Sequence, residues 1–224
     1  MKNKYVKRSK ISEAKFRKII MYFALELDSQ KIAALTSLNR NTVSRYLNRI
    51  RSRIAELCEN QALKIPYRTT NSARIQAAGS AKQSLSAVSD SLPVFGIQSR
   101  DAHIYTEILP NGVHLKLRRL IKNSSNSGSL LLPKEWRHYD GIVDMNGRWH
   151  YRLNAGLTQM ETASSPPGSI EEFLGFARKR LTLINLNGAD HFNLLLKECE
   201  FRFNNRDENI YQLLLKQFRE NPLS

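Results

Sequence analysis

The stretch "SQKIAALTSLNRNTVSRYLNRIRSRIAEL", Ser29 to Leu57, decides how the N-terminal part of the chain folds. Ile32, Ala33, Leu38, Val43 and Tyr46 put apolar or small side chains where two short helices and the turn between them must meet. Ser37 is small where the turn needs a tight backbone, Ala33 lets the helices approach, and Val43 fills the angle between them. That is the pattern of a helix-turn-helix. The second helix is expected from Arg40 or Asn41 to Cys58, with Asn39, Arg40, Asn41, Ser44, Arg45 and Asn48 facing outward near its start. Asn can bond adenine bidentately and Arg can bond guanine, so this face suits the major groove of DNA. Arg49, Arg51 and Arg53 continue along the helix and suit phosphates. A small helical bundle with a charged exterior would share the apolar pattern. DNA is favoured because the charge, the Asn/Arg-rich face and the spacing coincide.

Upstream, "SEAKFRKIIMYFALEL" (12–27) reads as a helix with Ser12 as N-cap. Phe16, Ile19, Ile20 and Phe23 share one face, with Lys15, Arg17 and Lys18 largely off it. The net charge of the 224 residues is +15, unevenly placed. Residues 1–89 hold 18 Lys/Arg against 5 Asp/Glu, residues 90–224 hold 17 against 15, and no acid stands between Glu59 and Asp90. Such a one-sided positive field attracts polyanions. A solvated basic surface and a tail on anionic lipid are the alternatives; nucleic acid ranks ahead because the charge lies on the helical pattern. The two cysteines, Cys58 and Cys199, are far apart, which argues against a zinc ribbon or disulfide framework and suits a reducing cytoplasm. No apolar run approaches the roughly 20 residues that span a bilayer, and "MKNKYVKRSKISEAKF" lacks the apolar stretch of a secretory signal. The expected location is the cytoplasm, at the nucleoid, with no membrane partner.

Residues 64–92, "KIPYRTTNSARIQAAGSAKQSLSAVSDSL", are rich in Ser, Ala and Thr without a sustained period and read as a linker. The expected division is therefore a helix-turn-helix domain over 1–62, a linker over 63–92 and a second domain over 93–224. That second domain opens with β-type runs at 93–98 and 103–109 joined by a short polar turn, a hairpin signal. "VHLKLRRLIK" fits a strand or a helix, "SLLLP" a buried strand, and "RWHYRLN" another strand. Three helices follow: "SIEEFLGFARKRLTLI", "ADHFNLLLKECEFRFNNR" and "IYQLLLKQFREN". Strands first and helices after fit an α/β or α+β domain. His103, His114, His138, His150 and His191 show no metal-ligand spacing.

The segments "GSIEEFLGFARKRL", "HFNLLLKECEFRFNNRDENIYQLLLKQFRENPL" and "LPVFGIQ…AHIYTEILP" resemble the ISXO-type insertion-sequence transposases. "EWRHYDGIVD" and "HYRLN" fit the same pattern in the same order, and the resemblance spans residues 10–60 and 93–222. It implies an α/β, ribonuclease-H-like mixed sheet with helices, of the DDE class, preceded by the all-α helix-turn-helix domain. It also implies carboxylates that bridge two Mg²⁺ ions about 4 Å apart, which activate a hydroxyl nucleophile for strand transfer. The chain departs at each matched position. The first acids fall in the acid-free segment, which offers only "IPYRTTNSARI"; the second acid is Lys134, in "SGSLLLPKEWRHYDG" (127–141). The third is Gly168 in "PPGSIEE", although Glu171 stays in place as the candidate catalytic acid, and the family lysine is Arg178. An Asp-to-Lys change alters the local charge by two units. Beside a dication a few ångströms away, that repulsion is on the order of several kcal/mol even at an effective dielectric near 20. The chain's ribonuclease-H-like domain thus reads as degenerate. Asp101, Asp140, Asp144 and Glu135 remain; Asp140 and Asp144 match positions outside the metal site and read as surface or turn residues. Glu171 and Glu172 serve equally as first-turn acids that favour their own helix dipole.

The resulting expectation is a transposase-family protein that binds double-stranded DNA at terminal inverted repeats or related sites, with no catalytic metal. It would self-associate or join an intact transposase. The alternative is an active DDE transposase that uses Mg²⁺ for cleavage and strand transfer, so enzymatic status stays open.

Overall fold

The computed structural model describes residues 3–64, 94–109, 136, 139–144, 149–152, 156–159, 169–181 and 189–223. The readings of "VHLKLRRLIK" and "SLLLP", positions Lys134, Glu135 and Gly168, and all but the start of the 63–92 linker lie outside these residues. Packing sorts the chain into two compact units, Met1–Leu57 with Asn204–Ser224, and Cys58–Phe203.

The first unit is helical. Helix α1 (Glu13–Ala24) starts at Ser12, whose side chain accepts from Lys15 N, and it buries Phe16, Ile19, Ile20 and Phe23, the face its spacing predicts. Helix α2 (Ser29–Thr36) starts at Asp28, whose Oδ1 accepts from Lys31 N at 2.8 Å. That backbone hydrogen bond holds the Asp28 carboxyl below the usual range. Helix α3 (Arg40–Leu63) runs beyond the expected end at Cys58, since no breaker precedes Pro66.

The second unit carries a five-stranded sheet. Its strands are β1 (Val94–Arg100), β2 (His103–Ile108), β3 (Gly141–Asp144), β4 (Trp149–Arg152) and β5 (Gly156–Gln159), ordered β2-β1-β3-β4-β5. The expected hairpin is β1–β2, closed by Asp101 (φ 51°) and Ala102 (φ 61°). Both central residues are left-handed, as the two-residue type I′ turn requires to match the strand twist. Helices α4 (Ile170–Leu181) and α5 (Ala189–Asn204) bury Phe173, Leu174, Ala177, Leu181, Phe192, Leu195, Leu196, Cys199 and Phe203 with Phe95, Ile97, Ile104 and Val143 of the sheet. On the opposite face of β1, a side chain at Gly96 would run into the Tyr139 ring, so the close approach requires glycine there.

The mixed α/β chain is present, and each strand pairing among the described residues is antiparallel. The tight turn at Asp101–Ala102 and the short link between β3 and β4 allow only antiparallel neighbours. Two other expectations need correction. Asp144, read as a surface or turn residue, is 1% exposed at the end of β3. Finally, the chain's last helix, α6 (Ile210–Glu220), packs with the N-terminal helices rather than with the rest of 93–224. Its buried face of Leu214, Leu215 and Phe218 is completed there, with Phe218 against Phe16 at a ring separation of 6.3 Å.

Candidate nucleic-acid interface and the buried polar cluster

The turn between α2 and α3 has the geometry that the small residue at 37 anticipates. Ser37 is left-handed (φ 51°), and Leu38 N donates to Ala33 O at 3.1 Å. Asn39 then opens α3: its Oδ1 accepts from Asn41 N at 2.8 Å and its carbonyl from Val43 N. One acceptor of Asn39 is therefore committed to capping, a role its position before a helix could have revealed.

Along α3 the buried residues are Val43, Tyr46, Leu47, Ile50, Ile54, Ala55, Cys58 and Ala62. Arg40, Asn41, Arg45 and Asn48 are exposed, while Ser44, Arg49, Arg51 and Arg53 are half-buried. Asn39, also exposed, stands at the head of the row. The arginines divide by what they touch. Arg45, exposed, and Arg49, half-buried, lie over the Tyr46 ring at 6.0 and 5.8 Å, cation–π contacts that steady their guanidinium groups. Arg53 instead donates to Asn221 O at 3.1 Å and lies 2.9 Å from Glu56 Oε2, off the hydrogen-bond axis. Its charge is held within the chain.

The motif "KECEFRF" (197–203) folds into a different kind of site. On α5, Lys197 and Glu200 are 3% and 0% exposed. Lys197 Nζ donates to Glu200 Oε2 at 2.8 Å and to Thr106 O at 2.6 Å. Thr106, on β2, returns its own N–H and hydroxyl to Glu200 Oε2 at 2.8 and 2.6 Å. One carboxylate oxygen thus gathers three donors, while Oε1 has no hydrogen-bond partner among the described residues. Cys58 Sγ reaches Lys197 O at 3.6 Å. Burial first, and then the Glu200 charge, push its thiol far up, so it stays protonated and a poor nucleophile. Arg202 pairs with Glu198 at 2.9 Å, one helical turn back. Lys197 and Glu200 of this motif therefore pin α5 to the edge hairpin.

Asp140 also serves the sheet. Its Oδ2 accepts from Ser99 N at 2.8 Å and from Arg100 at 3.1 Å. Glu171 sits half-buried in the first turn of α4, behind the capping Ser169, with Arg178 half-buried further along the same helix.

An uncharacterized transposase-like protein of Haemophilus influenzae is 31% identical to this chain over 120 residues, 54% of this chain and 96% of that protein. The chain belongs to the transposase-like family. No protein-family model matches it, and no solved structure matches it. The sequence resemblance matches Lys134, Gly168, Arg178 and Glu171 to a two-metal seat, and of these Arg178 and Glu171 lie among the described residues. The buried carboxylate of Glu200 is already balanced by Lys197. No group of three or more His, Cys, Asp or Glu converges among the described residues. Glu171 is the one carboxylate of that matched set, whereas a pair of divalent ions is held by several. No helix among the described residues is long and apolar enough to cross a membrane.

Proposed function

We propose that this transposase-family chain is a DNA-binding protein that recognises element ends or related sites in double-stranded DNA and leaves them uncut. The observation that carries the reading is the row Arg40, Asn41, Arg45 and Asn48, exposed on a helix whose opposite side is anchored by Val43, Tyr46, Leu47 and Ile50. Such a row presents bidentate amides and guanidinium groups to base edges. The replacements Asn41→Ala and Arg45→Ala should each cost roughly 1–3 kcal/mol on the specific site, and much less on non-specific duplex. Binding isotherms on both DNAs read this directly. Equal losses on every sequence would show that α3 is not the reader.

The second reading, an active transposase, rests on Glu171, kept in the first turn of α4. Incubation with fragments bearing the flanking repeats and Mg²⁺ or Mn²⁺ is expected to yield no nicks. Metal-dependent cleavage that vanishes in Glu171→Ala would establish the enzyme instead. In the favoured reading the protein acts at the nucleoid in the cytoplasm, alone as a self-associated form or joined to an intact transposase, and occupies terminal repeats without processing them.

A further inference from the structure

We infer that Lys7, Arg8 and Lys10 form a fixed phosphate-binding turn on the flank of α3, held there by the chain's own C-terminal residues. The inference rests on the DNA-binding reading and adds a second contact to it. The turn is tied at both ends. On one side Val6 forms a parallel bridge with Leu223: Lys7 N donates to Leu223 O at 2.8 Å and Leu223 N to Tyr5 O at 2.9 Å. Tyr5, Val6 and Leu223 are all buried. On the other side Ser9 Oγ shares a hydrogen bond of 3.2 Å with Tyr46 OH and donates to Ile11 O at 2.9 Å. Between these anchors Arg8 has φ 50°, a left-handed conformation that a long side chain rarely adopts unless its surroundings impose it.

Lys7, Arg8 and Lys10 are exposed, and none of the three has an ion-pair partner among the described residues. Neighbouring cations differ: Lys4 pairs with Glu13, Lys31 with Asp28 and Arg53 with Glu56. The placement relative to the reading face follows from helix geometry. At about 100° per residue from Asn41, Arg45 stands about 40° round α3, Arg49 about 80° and Tyr46 about 140°. The turn docked on Tyr46 therefore continues the basic line from the reading row through Arg45 and Arg49. A duplex whose major groove accepts the row would lay its backbone along that line. Lysine and arginine on a pinned turn lose less freedom on binding than they would on a loose arm.

The test is a salt titration of the full chain on a short random-sequence duplex. The triple variant Lys7→Ala, Arg8→Gly, Lys10→Ala keeps the left-handed backbone and changes only exposed side chains. Each lost phosphate contact reduces the slope of log affinity against log salt by about 0.9, so a drop of roughly 2–3 is expected. Preference for the specific site should be unchanged. Lys216→Ala with Arg219→Ala, exposed on α6, should leave the slope where it was. An unaltered slope in the triple variant, while Arg45→Ala still weakens specific binding, overturns the turn and spares the helix-turn-helix reading. An equal fall in the Lys216/Arg219 control reduces the effect to net charge and overturns it too. If the unaltered chain binds no duplex in a salt-dependent way, both readings fall. Binding to phosphatidylserine vesicles that the triple variant loses, with its DNA slope intact, would assign the turn to a lipid surface instead.

Discussion

Glu200→Ala is expected to destabilise the sheet unit by about 3–5 kcal/mol, the usual cost of leaving one partner of a buried ion pair alone. Lys197 Nζ is 2.8 Å from the carboxylate and keeps, after truncation, the Thr106 carbonyl as its one hydrogen-bond acceptor among the described residues. The Thr106 N–H and hydroxyl lose their shared acceptor at the same time. Two neutral donors and an ammonium would then be stranded at positions that are 0–3% exposed. The measurement is urea unfolding of the full chain, followed by a probe in the sheet unit. A companion variant separates charge from packing: Lys197→Met with Glu200→Leu removes both ions, and should recover much of the loss because no charge is then buried unpaired. If Glu200→Ala unfolds at the unaltered urea midpoint, the cluster is not what fastens α5 to β2.

This cluster also shows how far residues can be read in advance. "KECEFRF" carries the resemblance, yet nothing in its spacing separates a motif kept for chemistry from one kept for packing. Lys197 and Glu200 lie three apart on one helix, and the partner that makes the site, Thr106, stands 91 positions before Lys197. Long-range pairing of that kind is invisible to periodicity. Local features fared differently. Ser12 as a cap, the buried face of α1, the tight turn at the small Ser37 and the β1–β2 hairpin all follow from contacts within a few residues, and each is legible in the sequence. The cap role of Asn39 was legible too, but its amide invites a base-reading role first. The withdrawal of Arg53 was not, since Asn221 lies at the other end of the chain. The burial of Asp144 is hidden for a related reason. A carboxylate after "GIV" suggests a turn, and only the sheet order, with β3 between β1 and β4, reveals that its position is interior.

Phe218→Ala is expected to loosen the helix-turn-helix from a position near the C terminus, at a cost of about 3–5 kcal/mol for a fully buried phenylalanine. The Phe218 ring lies 6.3 Å from that of Phe16, and Phe16 lies 5.8 Å from Tyr46 and 6.2 Å from Tyr5. The aromatic row therefore runs from α6 through α1 to α3, and it ends on the tyrosine that supports Arg45, Arg49 and Ser9. Emptying its first position leaves a cavity beside Phe16 and weakens the support under the proposed reading face. Hydrogen exchange on the full chain distinguishes the consequences. Protection should fall in α1, α2 and the first half of α3, while β1, β2 and α4 keep theirs, because α6 packs with the first unit and not with the sheet. Affinity for duplex DNA should fall with it. Loss of protection in β1, β2 and α4, with α1 and α3 unchanged, would return α6 to the sheet unit and remove the structural reason for coupling the end of this chain to its start.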